Sequence, residues 1–147
     1  TQRAPALLER AGLLAADPTG RFAKVNVLDY SSGVSGAERV HIIGDASWTT
    51  QPKAGHIANQ EAKVCADALS RIFAGGQPDP APVTNSACFS TITMSQASWL
   101  HAMFQYDAAS ASMKPVAAAG AASVGWNGDH FEDMGTWFRA LMADTFA

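Results

Sequence analysis

Apolar and polar positions change period several times along the chain, and each change predicts an element. From Pro5 to Ala16 the apolar residues suit a short helix, ended by the turn Asp17-Pro18-Thr19-Gly20. Arg21 to Leu28 switches to the alternation of a strand, with Ala23, Val25 and Val27 on one side. A Ser/Gly loop, Ser31 to Gly36, leads to a second expected strand, Arg39 to Ile43, apolar on both faces near its end as buried strands are. Gly44 stops it. Beyond a loop, a long helix is expected from about Ala54 to Phe73. Ala58, Ala62, Cys65, Leu69 and Ile72 recur at three-or-four spacing and form its expected buried stripe. The first half of that stripe is small, which permits close approach to a neighbour, and Gly75-Gly76 closes the helix.

The proline-rich stretch Gln77 to Val83 is the clearest internal boundary, dividing residues 1–76 from residues 77–147. Beyond it, Cys88 to Met94 and Trp99 to Tyr106 read as two strands of a hairpin joined through Ser95 to Ser98. Leu100, Ala102, Phe104 and Tyr106 share one face. Glu132 to Phe146 is expected to be helical, with Met134, Phe138, Leu141 and Thr145 along one stripe and Trp137 beside it. The fold class expected is α+β. An α/β segment (strand, Gly-Asp loop, helix) is followed by a C-terminal domain of small antiparallel sheet plus helix.

Composition narrows the function classes. The chain has 147 residues, 48% hydrophobic and 16% charged, which suits a globular protein with a core of its own. A formal net charge of -3 gives no electrostatic reason to expect nucleic acid. No apolar run approaches the roughly 20 residues of a membrane span. The first residue is Thr1 and no signal peptide follows, so processing, or a place inside a longer polypeptide, is expected. The cysteines Cys65 and Cys88 make neither a disulfide framework nor a zinc site, and pairing together, pairing elsewhere and staying free all fit the composition. His41, His56, His101 and His130 lack metal-ligand spacing, and there is no P-loop and no Cys-x-x-Cys-His.

The chemistry starts at Val40-His41-Ile42-Ile43-Gly44-Asp45-Ala46. An apolar strand ending in Gly-Asp places a carboxylate at the C-terminal edge of a sheet, where α/β folds bind ligands. Glycine allows close backbone approach and aspartate accepts hydrogen bonds from sugar-like hydroxyls. A plain turn with a satisfied aspartate is the competing reading. Next, Gln51-Pro52-Lys53-Ala54-Gly55-His56-Ile57-Ala58-Asn59-Gln60-Glu61-Ala62 opens a helix, whose N-terminus favours an electron-rich ligand edge. This order resembles the second FAD-binding segment of the two-dinucleotide-domain flavoprotein disulfide reductases. The resemblance implies that Gly44 and Asp45 hold the ribityl chain of FAD and that Gly55, His56 and Ile57 face the pyrimidine end of the flavin. Lys53 would balance negative charge on flavin or sulfur, with a solvated surface lysine as the plainer reading.

Asn85-Ser86-Ala87-Cys88-Phe89-Ser90 and the terminal Trp137-Phe138-Arg139-Ala140-Leu141-Met142-Ala143-Asp144-Thr145-Phe146 resemble the flavoprotein subunit of flavocytochrome c sulfide dehydrogenase, and His41 to Leu69 matches the same family. The resemblance implies that Cys88 is one half of a redox-active disulfide beside FAD, attacked by sulfide, with its partner cysteine in an N-terminal half. Trp137 takes the place of an aromatic near the flavin, or is simply a core tryptophan of an amphipathic helix. Cys65, within the helix stripe, reads as an inert core thiol.

The same resemblance implies a periplasmic parent enzyme, with sulfide as substrate and a c-type cytochrome subunit as partner and acceptor. The family's Gly-x-Gly-x-x-Gly turn and FAD-attachment cysteine are not in this sequence, so the chain alone is expected to bind FAD weakly or not at all and to be inactive unaided. Two alternatives stand beside this. One is a non-catalytic assembly module that forms homo-oligomers. The other is part of a related FAD-dependent sulfur or quinone oxidoreductase, although the terminal helix, with Asp133, Arg139 and Asp144, is poorly suited to a membrane surface.

Overall fold

The computed structural model describes residues 2–146. The described chain has helices α1 (Ala6–Arg10), α2 (Gly55–Phe73) and α3 (Gly128–Phe146), and strands β1 (Ala23–Lys24), β2 (Ser47–Trp48), β3 (Val83–Thr93), β4 (Gln96–Asp107), β5 (Ser112–Pro115) and β6 (Ala121–Ala122). The architecture is α+β. β1 and β2 form a small parallel pair, and β3, β4 and β5 lie in that order in a second sheet, where β6 also pairs with β4. The chain divides into two compact units, Thr1–Thr84 with Phe104–Lys114, and Asn85–Met103 with Pro115–Ala147.

In the first unit, α1 is shorter than the apolar pattern suggests because Gly12 takes φ 72° and breaks the helix. The residues after it turn around Asp17, whose carboxylate accepts from the N–H groups of Thr19, Arg21 and Phe22 and from the Thr19 hydroxyl. That turn delivers Phe22 and Ala23 to a core shared with Ala4, Leu13, Leu14 and Ile42. The expected strand from Arg21 to Leu28 is reduced to β1, registered Ala23↔Ser47 and Lys24↔Trp48, followed by a single bridge from Val25 to Ser32.

The expected strand from Arg39 to Ile43 does not form. Its only pairing is the bridge between Ser31 and His41. Tyr30 at φ 60° in the facing segment and Gly44 at φ 69° at the end of the run break the extended pairing, so no ladder propagates. Of its apolar residues only Ile42 is buried, while Val40 and Ile43 are exposed.

α2 appears as expected and ends in a Schellman motif. Gly76 N–H donates to Arg71 O (2.9 Å) and Gly75 N–H to Ile72 O (2.9 Å), with Gly75 at φ 81°. Its buried line is displaced from the expected one. Ile57, Glu61, Cys65 and Ala68 face inward, and Ile72 is exposed. The displacement puts a glutamate where apolar spacing alone expected alanines.

In the second unit, β3 and β4 form the expected hairpin with a tighter connection at Met94 and Ser95. β6 pairs antiparallel with β4, Leu100↔Ala122 and His101↔Ala121. α3 starts earlier than expected, capped by Asn127, whose Oδ1 accepts from His130 N–H (2.8 Å). No residue of α3 is fully buried; Phe138 lies exposed and Trp137 half-buried, so Trp137 takes the inward place expected of Phe138.

Candidate functional site

The Gly-Asp turn of the first unit is built from its backbone outward. Gly44 opens a short 3-10 turn, Gly44–Ala46, at a positive φ that an L side chain tolerates poorly. A Cβ there would also sit 3.2 Å from Ala58 Cβ on α2, so glycine is needed for conformation and for space. Asp45 is exposed at the tip of the turn.

Beneath the turn lies Glu61, 1% exposed. Gly44 N–H donates to Glu61 Oε2 (2.5 Å), and the Thr49 hydroxyl donates to Oε1 (3.3 Å). Ser47 Oγ lies 2.8 Å from Gly44 O and 3.3 Å from Glu61 Oε2. Burial raises the affinity of this carboxyl for its proton. The hydrogen bonds and the nearby Lys53 ammonium oppose the effect without cancelling it.

Lys53 is not a solvated lysine. Its Nζ donates to Ser47 O (2.6 Å) and lies 4.3 Å from the centroid of the Phe22 ring. Burial pulls its pKa below the usual lysine range, against the charges of Glu61 and Asp45. α2 begins directly after, with no side chain capping its first turn. A methyl group at Gly55 would meet no atom within 4 Å, so the approach to that turn is open. His56 is half-buried at the same turn. Ile57 is 2% exposed as a whole residue, so it serves the core and leaves almost no surface for a ligand.

The second unit carries the sulfur. Cys88 is half-buried on β3, its Sγ 3.9 Å from the hydroxyl of buried Ser86. Side chains alternate along a strand, so Cys88 shares a face with Ser86, and Phe89 points to the opposite face. Trp137 packs on Phe89, with ring centroids 5.5 Å apart, and the Thr91 hydroxyl meets Met134 Sδ (3.7 Å). α3 therefore backs the strand on the face away from the thiol, and the unit does not bring Trp137 and Cys88 together on one side. Cys65 and Cys88 are both free, and Cys65 is buried in α2, where burial and the charge of Asp29 push its thiol pKa up.

Of the residues singled out in the sequence, Gly44, Asp45, Lys53 and Gly55 gather around one turn, whereas Cys88 and Trp137 belong to the other unit. Glu61, Ser47 and Thr49 were not anticipated. The available signal was a glutamate at the spacing of Ile57, Cys65 and Ala68, on the inward line of the helix. Among the described residues, no group of three or more His, Cys, Asp or Glu could hold a metal ion, and no helix is long and apolar enough to cross a membrane.

An antiparallel sheet backed by a C-terminal helix, with a half-buried cysteine on its first strand, makes the C-terminal part of the chain an α+β domain. Residues 80–146 match the family model described as "Flavocytochrome c sulphide dehydrogenase, flavin-binding", so this part of the chain is similar to that family. The matched region is the one named for flavin binding. No curated protein matches the chain.

Proposed function

We propose that this chain is the C-terminal part of the flavoprotein of a periplasmic sulfide:cytochrome c oxidoreductase, supplying a ribityl-binding Gly-Asp turn and one redox cysteine. The observation that carries the reading is the family match over residues 80–146, a span that includes Cys88, Trp137 and all of α3. The residues of the Gly-Asp turn suit FAD: the exposed Asp45 carboxylate beside the positive-φ Gly44, and an uncapped helix start. Asp45 would accept hydrogen bonds from the polyol chain, Gly44 and Gly55 would permit close approach, and the backbone at His56 would meet the polar edge of the ring system. Lys53, tied to Ser47 O, would set positive charge beside that edge.

When bound, FAD supplies the acceptor for the two electrons that leave sulfide. The protein's part is to hold the sulfur that sulfide attacks. HS⁻ donates an electron pair to one sulfur of a disulfide between Cys88 and a cysteine in the N-terminal half. The S–S bond breaks, one cysteine leaves as thiolate, and the other retains the substrate sulfur as a persulfide. The hydroxyl of Ser86 lies on the same face as Cys88 and is placed to donate to a thiolate there. Trp137, packed on Phe89, would stiffen the strand from behind.

Replacing Cys88 with serine in the flavin-loaded protein is expected to abolish sulfide-dependent bleaching of the flavin absorbance while leaving flavin content unchanged. Undiminished bleaching would remove the redox role.

One observation favours a second reading, a non-catalytic assembly module. Among the described residues of the second unit only Ser86 and Ala97 are fully buried, while Ile92, Met94, Leu100, Val124, Trp126 and Phe138 are exposed. A concentration-dependent oligomer that never takes up flavin would support that reading against the first.

A further inference from the structure

We infer that Glu61 is the positioning residue of the Gly-Asp turn: it holds the Gly44 N–H inward, so that the turn presents a carboxylate and not an amide to its ligand. The identity of that ligand as FAD rests on the reading above; the positioning does not.

A glutamate on the inward line of an amphipathic helix is costly unless its oxygens are satisfied. Here both oxygens are used. Oε2 takes the Gly44 N–H and lies near the Ser47 hydroxyl, and Oε1 takes the Thr49 hydroxyl. The Ser47 hydroxyl returns to Gly44 O, and Lys53 closes the loop onto Ser47 O. Residues on both sides of Asp45 are thus anchored to one carboxylate of α2, while Asp45 itself stays exposed.

The direction of the Gly44 N–H determines which chemistry the turn accepts. Glycine turns that bind phosphate aim their N–H groups at the ligand. In this turn Gly44 N–H is spent on Glu61, and the exposed Asp45 repels an anion. What remains is an acceptor for hydroxyl groups, the class to which a polyol such as the ribityl chain belongs. Glu61 acts through Gly44 and Asp45 and needs no contact with the ligand.

The test follows the Gly44 amide by NMR hydrogen exchange in the full chain, in wild type and in Glu61→Ala, Glu61→Gln and Asp45→Asn variants, with folding checked by circular dichroism. Glu61→Ala should lose the Gly44 protection by about tenfold or more, the scale of a hydrogen bond to a charged group. Glu61→Gln keeps an acceptor oxygen and should restore most of the protection. Asp45→Asn should leave it unchanged. Protection that survives Glu61→Ala, or that Glu61→Gln fails to restore in a folded chain, overturns the positioning role. If Glu61→Ala does not fold, Glu61→Gln and Thr49→Val keep the question open to measurement. Glu61→Gln must then retain the protection, and Thr49→Val must reduce it.

The same samples are titrated with FAD and with inorganic phosphate. FAD affinity should fall about tenfold in Glu61→Ala and recover in Glu61→Gln, and phosphate should not move the wild-type Gly44 amide. A phosphate-induced shift of that amide in wild type would contradict the hydroxyl-accepting assignment. FAD affinity indifferent to a further Asp45→Ala variant, which removes the acceptor oxygens, with the amide results as expected, would sink the FAD reading and leave the positioning intact.

Discussion

Asp17 and Glu61 are both carboxylates withdrawn from water, at 6% and 1% exposure, and their titrations shift in opposite directions. Burial pushes Asp17 up, but the Thr19 hydroxyl and the N–H groups of Thr19, Phe22 and Arg21 outweigh it and hold the carboxyl well below the usual range. Its folded-state pKa is depressed, so its stabilisation is present above the unfolded value of about 4 and is lost as pH falls toward the folded one. Asp17→Ala leaves three backbone N–H groups without their acceptor and should cost about 2 kcal/mol at neutral pH. The check is chemical denaturation of both proteins across acid pH, where the gap should close as Asp17 becomes protonated.

Glu61 runs the other way. Its folded-state pKa is raised, so ionisation costs stability as pH rises from the unfolded glutamate range through the folded value, and protonation recovers it. Glu61→Gln, which retains an acceptor for Gly44 without the buried charge, should therefore lose little stability at neutral pH and flatten the pH dependence on that side. A Gln variant as destabilised as Glu61→Ala would contradict this.

At the scale of elements, α2 and its turn show what sequence patterns convey and what they omit. Helix length and the Gly75-Gly76 closure were legible because three-or-four periodicity and C-terminal glycine are local signals. The inward line was not, because hydrophobicity ranks Glu61 as solvent-facing, and only the tertiary hydrogen bonds from residues 44, 47 and 49 make its burial affordable. Val40 to Ile43 failed for a related reason: β-branched composition suggested a ladder, but Tyr30 and Gly44, both at positive φ, leave no extended partner. The β3–β4 hairpin was readable from alternation, whereas the side of β3 that α3 covers depends on packing at Phe89 and Trp137.

Gly44 joins residue and element scales. Gly44→Ala forces a methyl into the left-handed region and against Ala58, and should destabilise the first unit by about 1–2 kcal/mol. The measurement is the urea midpoint; no change would mean that the turn relaxes freely.

For the whole molecule, the first unit has a core of its own, while the second buries few side chains and leaves Leu100, Trp126, Val124 and Phe138 in solvent. Such a surface is expected to be covered in the working protein, by a partner or by a second copy. The isolated chain should therefore self-associate with rising concentration in sedimentation. Leu100→Ser with Phe138→Ser should reduce that tendency, and a strictly monomeric wild type would contradict it.

On the proposed reading, Cys88 carries sulfide chemistry beside a flavin. Visible absorbance of the flavin-loaded protein, recorded before and after sulfide in wild type and Cys88→Ser, tests this at the residue itself. A flavin band is expected in both proteins, with bleaching in wild type alone. A band that bleaches equally in both would rule the role out.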